Sequence, residues 1–139
     1  MVQNLDQGSL GVSSTSLLAT TSTTTFGNIL TASITTVSAN SKIFVIAGTA
    51  SYNGSTQRGS TRLLRGGTEI DANRYYSYDD GGIFTQFQHN VLDSPSVSAG
   101  TTLTYSFQGI STNGYLVNFG YGDSGGSVPT FITLMEIAG

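Results

Sequence analysis

From Asn28 to the C-terminus the apolar residues of this chain recur at every second position, and nowhere do they recur at intervals of three and four over ten residues or more. A two-residue period places alternate side chains on opposite faces of an extended strand, whereas an amphipathic helix needs the longer spacing. The chain is therefore restricted to β-structure. Ile29 to Val37 alternates weakly, and Lys42 to Tyr52 opens with Ile43-Phe44-Val45-Ile46, which predicts a strand buried on both faces. Gly66-Gly67 predicts a two-residue hairpin turn within Thr61 to Ala72, because both turn positions need positive φ. That register pairs Arg65 with Thr68, Leu63 with Ile70, Leu64 with Glu69 and Arg62 with Asp71, the last an opposite-charge cross-strand pair.

Ile83 to Leu92 sets Ile83, Thr85, Phe87, His89 and Val91 against Phe84, Gln86, Gln88, Asn90 and Leu92, and Asp93-Ser94-Pro95 ends the strand. Leu103, Tyr105 and Phe107 share one face of the next segment; Tyr115, Val117, Phe119 and Tyr121 share a face after the Asn113-Gly114 turn. Phe131, Thr133, Met135 and Ile137 alternate in the last strand. Seven to eight strands with turn residues between them predict an antiparallel β-sandwich or jelly roll.

Residues 1–26 differ. Ser13 to Thr25 is uncharged and almost wholly Ser and Thr, interrupted by Leu17, Leu18 and Ala19. This reads as an extended N-terminal arm ahead of a sandwich knob over residues 27–139. Leu5, Leu10, Leu17 and Leu18 are its candidate attachment residues; the alternative is a flexible tail. The N-terminus has neither the basic start nor the apolar stretch of a secretory signal, and no apolar run approaches the roughly 20 residues of a membrane span.

Composition narrows the role. Charged residues make up 9% of the chain, while it holds 20 Thr, 19 Ser and 18 Gly, so its surface is hydrated by neutral hydroxyls. A net charge of −3 with a single lysine, Lys42, excludes a nucleic-acid backbone as partner. Seven Phe and seven Tyr in periodic runs are more than a disordered chain carries. Without cysteine there is neither disulfide nor thiolate metal site.

Gly122-Asp123-Ser124-Gly125-Gly126 matches the nucleophile segment of chymotrypsin-like proteases, but 139 residues cannot supply that family's two barrels. Here it reads as a turn. His89, the one histidine, alternates with Phe87 and Val91 and reads as a hydrogen-bonded inward or interface side chain. Asp79-Asp80 gives two carboxylates where calcium wants six to eight oxygens, so it reads as a solvated turn. No catalytic residue, metal site or cofactor is expected. Arg58, Arg74, Tyr75, Tyr76 and Tyr78 form a candidate partner-contact surface, since arginine and tyrosine are enriched at binding hot spots.

Four features then carry a resemblance. They are Leu30-Thr31-Ala32-Ser33-Ile34-Thr35 leading to Ser41-Lys42-Ile43-Phe44-Val45; an Arg65 strand closed by Gly-Gly; Leu92-Asp93-Ser94-Pro95 with Gly100-Thr101-Thr102-Leu103-Thr104-Tyr105; and Ile132-Thr133-Leu134-Met135-Glu136-Ile137. In this order the chain resembles small β-modules of the virion proteins of tailed, marine-type bacteriophages. The resemblance implies a non-enzymatic homotrimeric jelly-roll knob on the particle surface. Its role would be capsid decoration, against the major capsid protein, or alternatively a tail-fibre tip contacting host glycans.

Overall fold

The computed structural model describes residues 10–14, 18–20, 23–53, 59–73, 83–111, 117–120 and 129–138. These residues form ten strands and, among them, no helix: β1 Leu10–Ser14, β2 Leu18–Thr20, β3 Thr23–Thr35, β4 Lys42–Asn53, β5 Gly59–Arg65, β6 Thr68–Asn73, β7 Ile83–Asp93, β8 Thr102–Ser111, β9 Val117–Phe119 and β10 Thr130–Ile137. Every pairing between them is antiparallel.

The pairings are nested. β5 pairs β6, β4 pairs β7, β3 pairs β8 and β1 pairs β10, as if one long hairpin had been wound over itself. Cross-pairing of β10 with β4 and of β8 with β5 closes two sheets, β1-β10-β4-β7 (sheet I) and β3-β8-β5-β6 (sheet II). This is a jelly-roll sandwich. The short β9 continues along β4 beyond the end of β10, and β2 pairs β9.

The core lies between the sheets. Sheet II contributes Ala32, Ile34, Leu63, Leu103, Tyr105 and Phe107; Ile43, Val45, Ala47, Phe87, Ile132 and Leu134 of sheet I face them, with Phe119 of β9. Phe87 and Phe119 meet at 6.0 Å between ring centroids. β7 and β8 follow the alternation read from the sequence, with Phe87 and His89 buried and Gln86, Gln88 and Leu92 exposed.

Two expectations need correction, those for β4 and for the β5–β6 register, and the structure decides the inward face of β10, which alternation left open. β4 is not buried equally on both faces, for Ile43, Val45 and Ala47 are fully buried while Phe44 and Ile46 on the outer face are half-buried. In β10 the inward residues are Thr130, Ile132 and Leu134; Phe131, Thr133 and Met135 point outward. Both parities of that strand are apolar, so alternation alone does not choose the inner one. The β5–β6 hairpin keeps its Gly66-Gly67 turn, with φ of 52° and 89°. Leu64 still faces Glu69, but Leu63 faces Asp71, making Ile70 the extra residue of a β-bulge. The slip of one puts Arg62 opposite Ala72, and Asp71 goes to another partner.

The segment read as an arm supplies strands to the sandwich. Leu10–Ser14 pairs with residues 130–134, Leu18–Thr20 pairs with β9, and β3 begins at Thr23. Sheet pairing therefore crosses the 26/27 division. Main-chain hydrogen bonds to a sheet edge need no apolar alternation, which is why this stretch carried no strand signal.

Candidate functional site

Polar side chains at inward positions are the feature of this interior that most needs explaining, because an unpaired buried polar group is costly. Two groups of three span the gap between the sheets, and both tie β7, at the margin of sheet I, to sheet II.

The first centres on Asp93, the last residue of β7 and 8% exposed. Its Oδ1 accepts from Arg65 Nη1 on β5 at 2.5 Å, and its Oδ2 accepts from the Tyr105 hydroxyl on β8 at 2.7 Å. Both carboxylate oxygens are thus used. Burial, reinforced by the hydrogen bond to Asp93 and its negative charge, pushes the Tyr105 hydroxyl well above the ordinary tyrosine range, with Arg65 opposing.

The second centres on His89. Its Nε2 lies 2.9 Å from Thr61 Oγ1 on β5 and its Nδ1 lies 2.8 Å from Asp71 Oδ2 on β6. An ionised carboxylate can only accept, so Nδ1 carries a proton and donates to Asp71; in the neutral ring Nε2 then accepts from the Thr61 hydroxyl. The ring also meets Phe107 edge-on at 5.4 Å. His89 is the inward, hydrogen-bonded residue expected of it.

Acid, imidazole and hydroxyl in this order invite comparison with a hydrolase triad, and accessibility decides against it. A nucleophile must meet substrate, whereas Thr61 and His89 are 0% exposed. The Asp71 side chain, at the outer end of the relay, is 37% exposed. The polarity of exposure is reversed, and the group is a tie between sheets.

One end of the sandwich is tied as well. Residues 36–41 and 94–101 connect strands there: Thr36 N donates to Thr101 O at 2.9 Å, Thr36 Oγ1 to Ser98 O at 2.9 Å, and Asn40 N to Val97 O at 2.9 Å. The Glu136 carboxylate accepts from Val37 N at 2.9 Å and Ser38 N at 3.0 Å. Burial works to raise this carboxyl, but hydrogen bonds from Ser41, Ser38 and Val37 together hold it below its ordinary value. On the outer face of sheet II, hydroxyl pairs Ser33–Thr104 at 2.9 Å and Thr35–Thr102 at 3.0 Å bridge β3 and β8. Nearby, Arg62 donates to Gln108 at 2.8 Å, lies 4.0 Å over the Phe26 ring and reaches Glu69 at 3.5 Å, in place of Asp71.

Of the residues singled out from the sequence, Arg58, Arg74, Tyr75, Tyr76 and Tyr78 lie outside the described residues, as do Gly122 to Gly126, Asp79, Asp80, Leu5 and Leu17. The backbones of Leu10 and Leu18 lie in β1 and β2. Among the described residues, no three His, Cys, Asp or Glu side chains group to hold a metal ion. Sequence reasoning missed the roles of Thr61, Arg65, Asp71, Asp93 and Tyr105. A signal existed for Asp93, which continues the inward series Phe87, His89, Val91.

No protein-family model matches the chain, and no curated protein matches it in sequence. Among solved structures, one similar in fold is "Structure of infectious bursal disease virus Gx strain", with a TM-score of 0.44 and 10% identity. The likeness covers 91% of this chain and 35% of the viral one, so the chain spans about a third of that protein's length, and it is too slight to bear on role.

Proposed function

We propose that this chain is a non-enzymatic structural protein of a bacteriophage virion, a homotrimeric knob on the particle surface that decorates the capsid beside the major capsid protein. The observation that carries the reading is the nested jelly-roll pairing, closed by buried polar ties whose hydroxyl and imidazole no substrate can reach. Jelly rolls recur in capsid and lectin domains, and the ordered motifs from Leu30 to Ile137 favour the virion. A hydroxyl-rich outer face suits a surface that stays hydrated without charge.

A second reading is a fibre-tip module that holds host glycans through Arg74, Tyr75, Tyr76 and Tyr78. One arrangement favours it. The ends of β4, β6 and β8, and the starts of β5, β7 and β10, lie at the end of the sandwich opposite Glu136 and the Gly66-Gly67 turn. The described strands that flank residues 54–58 and 74–82 in sequence therefore meet at that one end.

Quantifying the chain in purified virions tests both. Hundreds of copies per particle match a shell role, tens or fewer match the fibre tip, and absence from particles overturns the proposal. A glycan array reads the second role directly.

A further inference from the structure

The two outer faces of the sandwich differ in kind. That of sheet II is lined by Thr31, Ser33, Thr35, Thr102, Thr104 and Ser106, several of which satisfy one another across strands. That of sheet I is mainly apolar along β4 and β10 and at Leu92 of β7. One cross-strand row runs Leu92, Phe44, Met135, and the next holds Ile46 between Asn90 and Thr133. Leu92 is 52% exposed and Ile137, on the same parity of β10, is 39% exposed. Phe131 lies over Gly48, its Cζ 2.8 Å from where a Cβ would stand, so the ring covers backbone that a side chain would otherwise shield.

We infer that the outer face of sheet I, around Leu92, Phe44 and Met135, is where copies of this chain meet. The inference rests on the oligomeric part of the proposed function and names its surface. Two features select a second copy as occupant. The first is charge. Around a symmetry axis a residue lies near its own counterpart, so a charged face repels itself. On this face Lys42, at the margin opposite Ile137, is the one charged residue among those described. The second is size. Four strands spaced ~4.8 Å apart and about eight residues long give ~500 Å² in projection, and more in accessible area. That approaches the ~800 Å² per partner of a stable interface. Asn90 and Gln88 along β7 supply a polar, uncharged border.

The test measures the mass of the full chain by light scattering and sedimentation across micromolar concentrations, for the wild type, Leu92→Lys, Asn90→Lys and, on the opposite face, Thr104→Lys. Leu92 and Asn90 are exposed, so lysine there leaves the fold intact, which circular dichroism checks. The expected result is an assembled wild type and an assembled Thr104→Lys, with Leu92→Lys and Asn90→Lys each weakening association at least tenfold toward folded monomer. Wild-type affinity in both sheet I variants would overturn this surface and leave the oligomer standing. A wild type that stays monomeric at tens of micromolar would remove the oligomer and this inference together.

Discussion

Tyr105 of sheet II donates its phenolic hydrogen to Asp93 of sheet I across 2.7 Å of buried interior, and the other oxygen of that carboxylate holds Arg65. One side chain at the end of β7 thereby fastens a marginal strand to two strands of the facing sheet.

Removing a partner from this group leaves a buried charge uncompensated. Arg65→Met is expected to cost about 2–4 kcal/mol, below the value for a fully buried pair because the guanidinium is partly in water. A double-mutant cycle with Tyr105→Phe, read from urea midpoints, should show coupling of more than about 0.5 kcal/mol. Additive losses would mean that the three groups do not act together.

The raised titration of Tyr105 has an alkaline consequence. The unfolded chain releases this proton near pH 10 while the folded chain retains it, so the contribution is whole below about pH 10 and declines as pH rises beyond it. Stability measured across that range should fall less steeply in Tyr105→Phe than in the wild type. Parallel slopes would contradict the buried hydroxyl.

Glu136 acts at the other extreme. Its folded value is lowered, so its contribution is present above about pH 4.5 and is lost as pH falls through the folded value. Glu136→Gln should be less stable than wild type at neutral pH and should lose less on acidification, with the two denaturation midpoints converging. A constant gap across the acid range would exclude this carboxylate as the cause.

Two glycines should respond unequally to alanine. A Cβ at Gly109 would stand 2.5 Å from the ring of Phe119, which is fully buried, and 2.9 Å from Ile29 Cδ1. Both side chains are buried, and Gly109→Ala is expected to cost about 1–3 kcal/mol. At Gly48 the close neighbour is the ring of Phe131, half-buried on the outer face and able to swing outward. Chemical denaturation should rank Gly109→Ala clearly below Gly48→Ala.

Truncation probes β1. Deleting residues 1–14 removes the strand that covers β10, and at roughly 0.5–1.5 kcal/mol net for each ladder hydrogen bond the loss should be about 2–4 kcal/mol. A truncated protein with an unchanged melting temperature would mean that β1 contributes nothing to the folded domain.

The sequence by itself determined what depends on neighbours along the chain. Period two excluded helices, Gly66-Gly67 marked its turn, and the series Phe87, His89, Val91 placed one face of β7 inward. Only tertiary structure decided the rest. The parity of β10 turned on which apolar set met Val45 and Ala47, since both sets are apolar. The bulge at Ile70 sent Asp71 to His89 and Arg62 to Glu69, because one inserted residue reverses which face each neighbour occupies. Leu10–Ser14 became a strand through hydrogen bonds to residues more than a hundred positions away, a partner that no local pattern encodes. For the same reason Thr61, Asp71 and His89, drawn from three strands and two sheets, became one hydrogen-bonded group only when the sandwich closed.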